Sequence, residues 1–279
     1  MERLQDAMNR ARQKRSGKLR EPAVKRQPRN QEISGRALPR AVSDRWAALP
    51  ELAVDPKVME ANRIVTYFGR QESSPFDMMR TKIVQQARAN NWRRIAVTSP
   101  TPGCGKSTLV ANLAFSLARQ TDIRTIVIET DMRRPMLSKL IGSTEKHVFA
   151  RVLTGQDAIA DHLVSYGGNV AFGTNDIPSG NSSELLQSGA AQDALRRIEK
   201  DYEPDLIIFD TSPLMVSDDT IGFLEHVDAT VLVAAAETTS VEQVDVAEAE
   251  IAEVTQVLGV VLNKCRYSSG GYGYDYGYY

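Results

Sequence analysis

The sequence predicts an α/β fold, a mostly parallel sheet covered by helices on both faces, and three observations predict it. Short continuous apolar runs alternate with amphipathic stretches of helical length between residues 94 and 262, the pattern of strands buried on both faces between covering helices. The first of those runs leads through a glycine-containing loop straight into a helical stretch. Two others close on carboxylates, Glu129 with Asp131 and Asp210, which sets acidic groups along one edge of a parallel sheet, where ligands of such folds bind.

Composition bounds the reading. The 279 residues are 42% hydrophobic and 25% charged with a formal net charge of −1, which suits one α/β domain plus appendages. The longest apolar runs, at 229–236 and 259–262, fall far below the roughly 18 residues needed to cross a bilayer. The first twenty residues carry charge throughout and lack the apolar centre of a leader, so the expected location is the cytoplasm. Two cysteines, Cys104 and Cys265, are too few for a disulfide framework or a metal site.

Charge is unevenly spread. Residues 1–45 hold 13 Lys/Arg against 5 Asp/Glu, leaving a net −9 on the rest. Within 1–15, Leu4, Ala7, Met8 and Ala11 recur at helical spacing among charges and predict a basic amphipathic helix. Residues 16–72, with five prolines before position 57 and no sustained period, read as a basic linker. No aromatics interleave with the arginines and the body is acidic, so nucleic acid is not an expected partner. The folded domain is expected over 73–266, opening with a helix at Ser74-Pro75 that runs to about residue 88. Strands follow at 94–98, 125–128, 206–209, 229–235 and 257–262, with helices at 107–120, 183–200 and 241–254.

The chemistry begins at the loop. Ser99-Pro-Thr-Pro-Gly-Cys-Gly-Lys-Ser-Thr108 lies between a strand and a helix, the context of a phosphate-binding loop and so of P-loop NTPase architecture. Gly103 and Gly105 let the backbone amides of the loop, Cys104 among them, face phosphates at the positive end of the following helix, where Thr108 also lies. Lys106 would bridge the β- and γ-phosphates of ATP, and Ser107 would ligate Mg²⁺. The Cys104 side chain is expected to point away. Asp210, closing Leu206-Ile-Ile-Phe-Asp210, is the second Mg²⁺ ligand, held directly or through water. Asp131 either joins that shell or orients an acceptor hydroxyl, while Arg133 stabilises charge on the transferred group; a structural ion pair between Asp131 and an arginine is the alternative. Asn263 either contacts the nucleotide base or caps the last strand.

The last thirteen residues contain six tyrosines, Tyr267, Tyr272, Tyr274, Tyr276, Tyr278 and Tyr279, among glycine, serine and the single charge of Asp275. A phosphoryl donor site and a flexible row of acceptors thus share one chain. Aromatic self-association without chemistry is the alternative.

These three nucleotide motifs, in this order and followed by a tyrosine cluster, resemble the bacterial tyrosine kinases of exopolysaccharide and capsule export, the CpsD/CapB-like or BY-kinase group, from about Ser74 onward. The resemblance implies autophosphorylation of the tail with ATP and Mg²⁺, active-site roles for Lys106, Ser107, Asp131 and Asp210, and a homo-oligomer in which one subunit's tail enters another's site. It also implies activation by the cytoplasmic segment of a polysaccharide co-polymerase at the inner face of the membrane. Glu129 stands where the group has aspartate, and of the group's Glu-x-x-Arg-x-x-Arg subunit-contact helix, set against Ser74, Asp77 and Arg80, only Arg80 matches. Positioning ATPases of the MinD/ParA kind are similar but carry a loop lysine where this chain has Thr101. A nucleotide-gated scaffold without catalysis is the remaining alternative.

Overall fold

The computed structural model describes residues 39–265; the expected N-terminal helix, the first part of the expected linker and the tyrosine tail lie outside the described residues. In chain order the elements are α1 (Arg40–Ala47), α2 (Pro56–Ala61), α3 (Ser74–Asn90), β1 (Arg94–Thr98), α4 (Lys106–Ala118), β2 (Thr125–Glu129), α5 (Leu137–Ile141), α6 (Phe149–Leu153), β3 (Leu163–Tyr166) and β4 (Val170–Gly173). There follow α7 (Ser182–Gln187), α8 (Gly189–Tyr202), β5 (Leu206–Asp210), α9 (Asp219–Leu224), β6 (Ala229–Ala235), α10 (Val241–Val254) and β7 (Gln256–Asn263).

The seven strands form one sheet in the order β3-β4-β2-β5-β1-β6-β7. All neighbours are parallel except β3 and β4. Alternation along each central strand feeds two cores: Ile126, Ile128, Ile207 and Phe209 face the layer of α1, α6 to α10, while Val127, Leu206, Ile208, Ile95 and Val97 face α2 to α5. Every residue of β1, β2 and β5 is buried, which is why these strands read as unbroken apolar runs. Register sets the functional edge: Val97 of β1 and Glu129 of β2 both pair with Asp210 of β5.

Two departures from expectation have physical reasons. The stretch 183–200 is two helices, because Ser188 is extended (ψ 152°) and its side chain caps α8 by accepting from Ala191 N. The linker expected through residue 72 is folded from residue 39 on. Its prolines punctuate short elements: Pro39 precedes α1, and Pro56 opens α2 behind Asp55, whose side chain accepts from Lys57 N at 2.8 Å. Between them Pro50 O accepts from Ser165 N and Leu52 N donates to Ser165 O, both 2.7 Å, so this segment covers the open edge of β3.

The anchor of that segment is Trp46, 3% exposed, whose indole donates to Tyr202 O at 2.8 Å and whose ring meets the Tyr202 ring edge-on. Trp46→Ala is expected to lower unfolding stability by about 3 to 5 kcal/mol, read as a shift of the urea midpoint; a change within experimental error would mean that residues 39–61 are not part of the cooperative unit.

Candidate active site

Strand β1 delivers the chain to the loop at the centre of the sheet. Gly103 (φ 81°) and Gly105 (φ 88°) adopt the left-handed conformation that lets the loop fold tightly before α4. The Ser99 hydroxyl donates to Thr101 O at 2.8 Å, and Leu214 N and Met215 N donate to Ser99 O and Pro100 O, stapling the loop to the segment after β5. Cys104 is buried with its thiol among Thr101 and Thr239. Burial pushes that thiol up, but the Thr239 and Thr101 hydrogen bonds outweigh it and hold it below the ordinary range. The side chain thus points away from the loop opening, as the sequence suggests.

The Asn263 side chain faces the phosphate loop. Its amide Nδ2 donates to Cys104 O at 2.9 Å, and a methyl group at Gly105 would overlap that amide. The end of β7 therefore clamps the phosphate loop, and the close approach requires glycine at 105.

Three predicted residues converge. Lys106, 7% exposed, places Nζ 3.9 Å from Asp131 Oδ2. Asp131 Oδ1 accepts from Ser212 Oγ at 3.0 Å and Arg134 N at 3.2 Å. Asp210 is fully buried, and among the described residues neither carboxylate oxygen completes a hydrogen bond. Burial raises its pKa to about 6, opposed by the Lys106 charge and by the Ser107 hydroxyl, which lies near without completing a hydrogen bond. A buried carboxylate with two idle oxygens beside a hydroxyl fits a hard cation held by few protein ligands and completed by phosphate and water. Asp210 with Ser107 would hold Mg²⁺, with Asp131 at its side.

Arg133 is placed differently from its expected role. Its Nε and Nη2 donate to Asp219 Oδ2 and Oδ1 at 2.8 and 2.9 Å, a bidentate pair with a carboxylate that also receives the Ser182 hydroxyl. The hydrogen bond and charge of Asp219 raise the Arg133 pKa. The guanidinium fork is thus engaged in tying the loops after β2, β4 and β5 together, and among the described residues only Nη1 lacks a partner. Asp219 and Ser212 were not singled out in the sequence; each follows Asp210 within nine residues.

Glu129, in the position of the group's aspartate, is also engaged within the chain. Its oxygens accept from Met136 N, Leu137 N and Asn175 N at 2.6, 2.7 and 2.8 Å, while burial raises its pKa to about 8 against those bonds. It fixes the entry to α5 and the loop after β4. Asp77 and Arg80 are likewise engaged within the chain, around the Ser116 and Arg119 side chains of the neighbouring helix region. Among the described residues no group of three His, Cys, Asp or Glu side chains is arranged to hold a metal by itself, and no helix is long and apolar enough to cross a membrane.

Residues 95–271 match the CbiA family, the CobQ/CobB/MinD/ParA nucleotide binding domain. The tyrosine-protein kinase CpsD of Streptococcus agalactiae is 30% identical over 232 residues, 81% of this chain and 94% of that protein. The putative tyrosine-protein kinase AmsA of Erwinia amylovora is 30% identical over 186 residues, 64% of this chain; the chain spans 25% of that longer protein. The kinase domain of the Escherichia coli tyrosine kinase ETK has the same fold, with a TM-score of 0.63 at 23% identity over 72% of this chain and 80% of that one.

The site carries a stability cost that can be measured. The Asp210 carboxyl titrates near 3.8 when unfolded and near 6 when folded, so the folded state binds the extra proton and ligand-free stability falls as pH rises from about 4 to about 6. Asp210→Asn removes this slope and is expected to be more stable than the wild type at pH 7, by up to about 3 kcal/mol, with no difference near pH 4; parallel pH profiles in chemical unfolding would contradict it. Asn263→Ala frees the Cys104 carbonyl and is expected to weaken nucleotide binding about tenfold, the effect of one buried hydrogen bond, as read by titration calorimetry.

Proposed function

Since the chain belongs to the bacterial tyrosine-protein kinases built on the CobQ/CobB/MinD/ParA nucleotide-binding domain, we propose that it transfers the γ-phosphoryl group of ATP to the tyrosines of its own tail. The observation that carries this reading is the Asn263 clamp. The strand that leads to six tyrosines ends in a hydrogen bond to the phosphate loop, so the acceptors are rooted at the donor site.

The division of labour follows from the geometry. Loop amides and Lys106 bind the phosphates, and Ser107 and Asp210 hold Mg²⁺, which when bound neutralises charge on the phosphate oxygens. Lys106 and Ser212 fix the Asp131 carboxylate, which orients the tyrosine hydroxyl. The phenolic oxygen bonds to the γ-phosphorus, the bond from that phosphorus to the ADP oxygen breaks, and the phenolic proton passes to Asp131. The exposed side chains of Met136, Ile177, Met215 and Val216 stand on the loops of this edge and suit an aromatic acceptor. The same apolar rim is where the cytoplasmic segment of a polysaccharide co-polymerase would act, bringing the kinase to the inner face of the membrane, and a second copy would present its tail there. Arg80 and Asp77, bound within the chain, take no part in that assembly.

Incubation with Mg²⁺-ATP followed by phosphotyrosine mass spectrometry tests the reading. Modification within 267–279 is expected for the wild type and is expected to vanish in Lys106→Met and in Asp210→Asn. ATP hydrolysis without phosphotyrosine, with a co-polymerase segment supplied, would replace the kinase with a positioning ATPase or a nucleotide-gated scaffold.

A further inference from the structure

A second site lies on the flank of the molecule. Gly155, after α6, and Ala190, Asp193, Arg196, Arg197 and Lys200 of α8 line an open cavity of about 510 Å³. Ala190, Asp193, Arg197 and Lys200 follow at spacings of three, four and three, so they form one stripe along the helix. The stripe has two ends of different chemistry. At one, Ala190 offers only a methyl group; at the other stand Arg197 and Lys200, one turn apart, with Gly155 beside Arg197.

The cations differ in their engagement. Arg196 is paired with Asp193, and both are largely exposed. Arg197 and Lys200 make no hydrogen bond or ion pair among the described residues. The Arg197 guanidinium lies against the Gly155 backbone, with Nη2 3.8 Å from where a Cβ would stand, so this exposed side chain borders the cavity. An arginine and a lysine side by side match a dianionic phosphate, and a smooth floor of small residues next to them matches a flat ring. A free acidic side chain would use the charge and leave the floor empty.

We infer that this cavity binds phosphotyrosine, and that its occupant is the modified tail 267–279 of this chain or of a second copy. The inference rests on the reading that the tail is phosphorylated. Unmodified, the tail has one acidic side chain, Asp275; each phosphate adds about −1.5 to −2 charges, so only the modified form complements the cations. From Asn263 the sixteen residues to Tyr279 extend to no more than about 55 Å. The docked state would draw acceptors away from the donor site after reaction, a product-held form of the kinase.

The test uses the full chain carrying Lys106→Met, so that its own tail stays unmodified, and a fluorescent peptide of residues 267–279 made with and without phosphate on Tyr274 and Tyr276. Fluorescence anisotropy is expected to show the phosphopeptide binding at least about tenfold tighter, with Arg197→Gln and Lys200→Gln each weakening it about threefold to fivefold at low salt while the unfolding temperature is unchanged. Ala190→Phe, which fills the floor and keeps both cations, is expected to abolish the preference for a phosphotyrosine over a phosphoserine peptide of the same sequence. Equal binding of both tail peptides, equal binding of a peptide with glutamate at both tyrosines, or full binding by the doubly substituted Gln variant would each overturn the inference. Phosphopeptide binding alongside a wild type that never phosphorylates its tail would leave this site standing and remove the kinase reading alone.

Discussion

The structure is organised around one buried carboxylate. Asp210 closes the central strand β5, between β1, which delivers the phosphate loop, and β2, which delivers Asp131. Its carboxylate oxygens are buried and, among the described residues, without donors, an arrangement that destabilises the folded protein unless a cation fills it. Everything nearby keeps that carboxylate where it is. Thr130 and Asp131 donate their backbone amides to Asp210 O, and Thr211 N donates to Val97 O, so the three strand ends are laced together immediately beyond the sheet.

The second layer of that lacing is carried by two further buried acids. Glu129 gathers three backbone amides, and Asp219 gathers Arg133 and Ser182. Both are fully buried and both join loops from different strands. Their cost of burial is offset by the number and quality of the bonds they accept. Precision at the Lys106–Asp131–Asp210 group follows from this frame, since Lys106 opens α4, Asp131 lies on the loop after β2 and Asp210 closes β5.

The sheet was legible because its strands are buried on both faces: β1 and β6 agree with the expected spans 94–98 and 229–235, and the phosphate loop is identified by its own spacing. What escaped was whatever depends on partners far along the chain. Trp46 and Val42 alone face the core from α1, too few for a readable period, and their burial depends on Tyr202 and α8, more than 150 residues away. The β3–β4 hairpin did leave a signal, Gly167-Gly168 with both φ values positive, but its strands are only four residues each. The Arg133–Asp219 pair left none, because neighbouring residues on a loop do not reveal which way a guanidinium turns.

Gly105 and Asn263 give the tail a fixed origin. On the proposed reading, a segment tethered beside the phosphate loop meets it at an effective concentration on the order of millimolar where a chain modifies itself. Selection among acceptors then falls to chain length and rotation about the tether more than to a tight recognition pocket. On the same reading, six tyrosines separated by glycine and serine compete as acceptors, and losing any one of them redistributes modification among the others instead of stopping it.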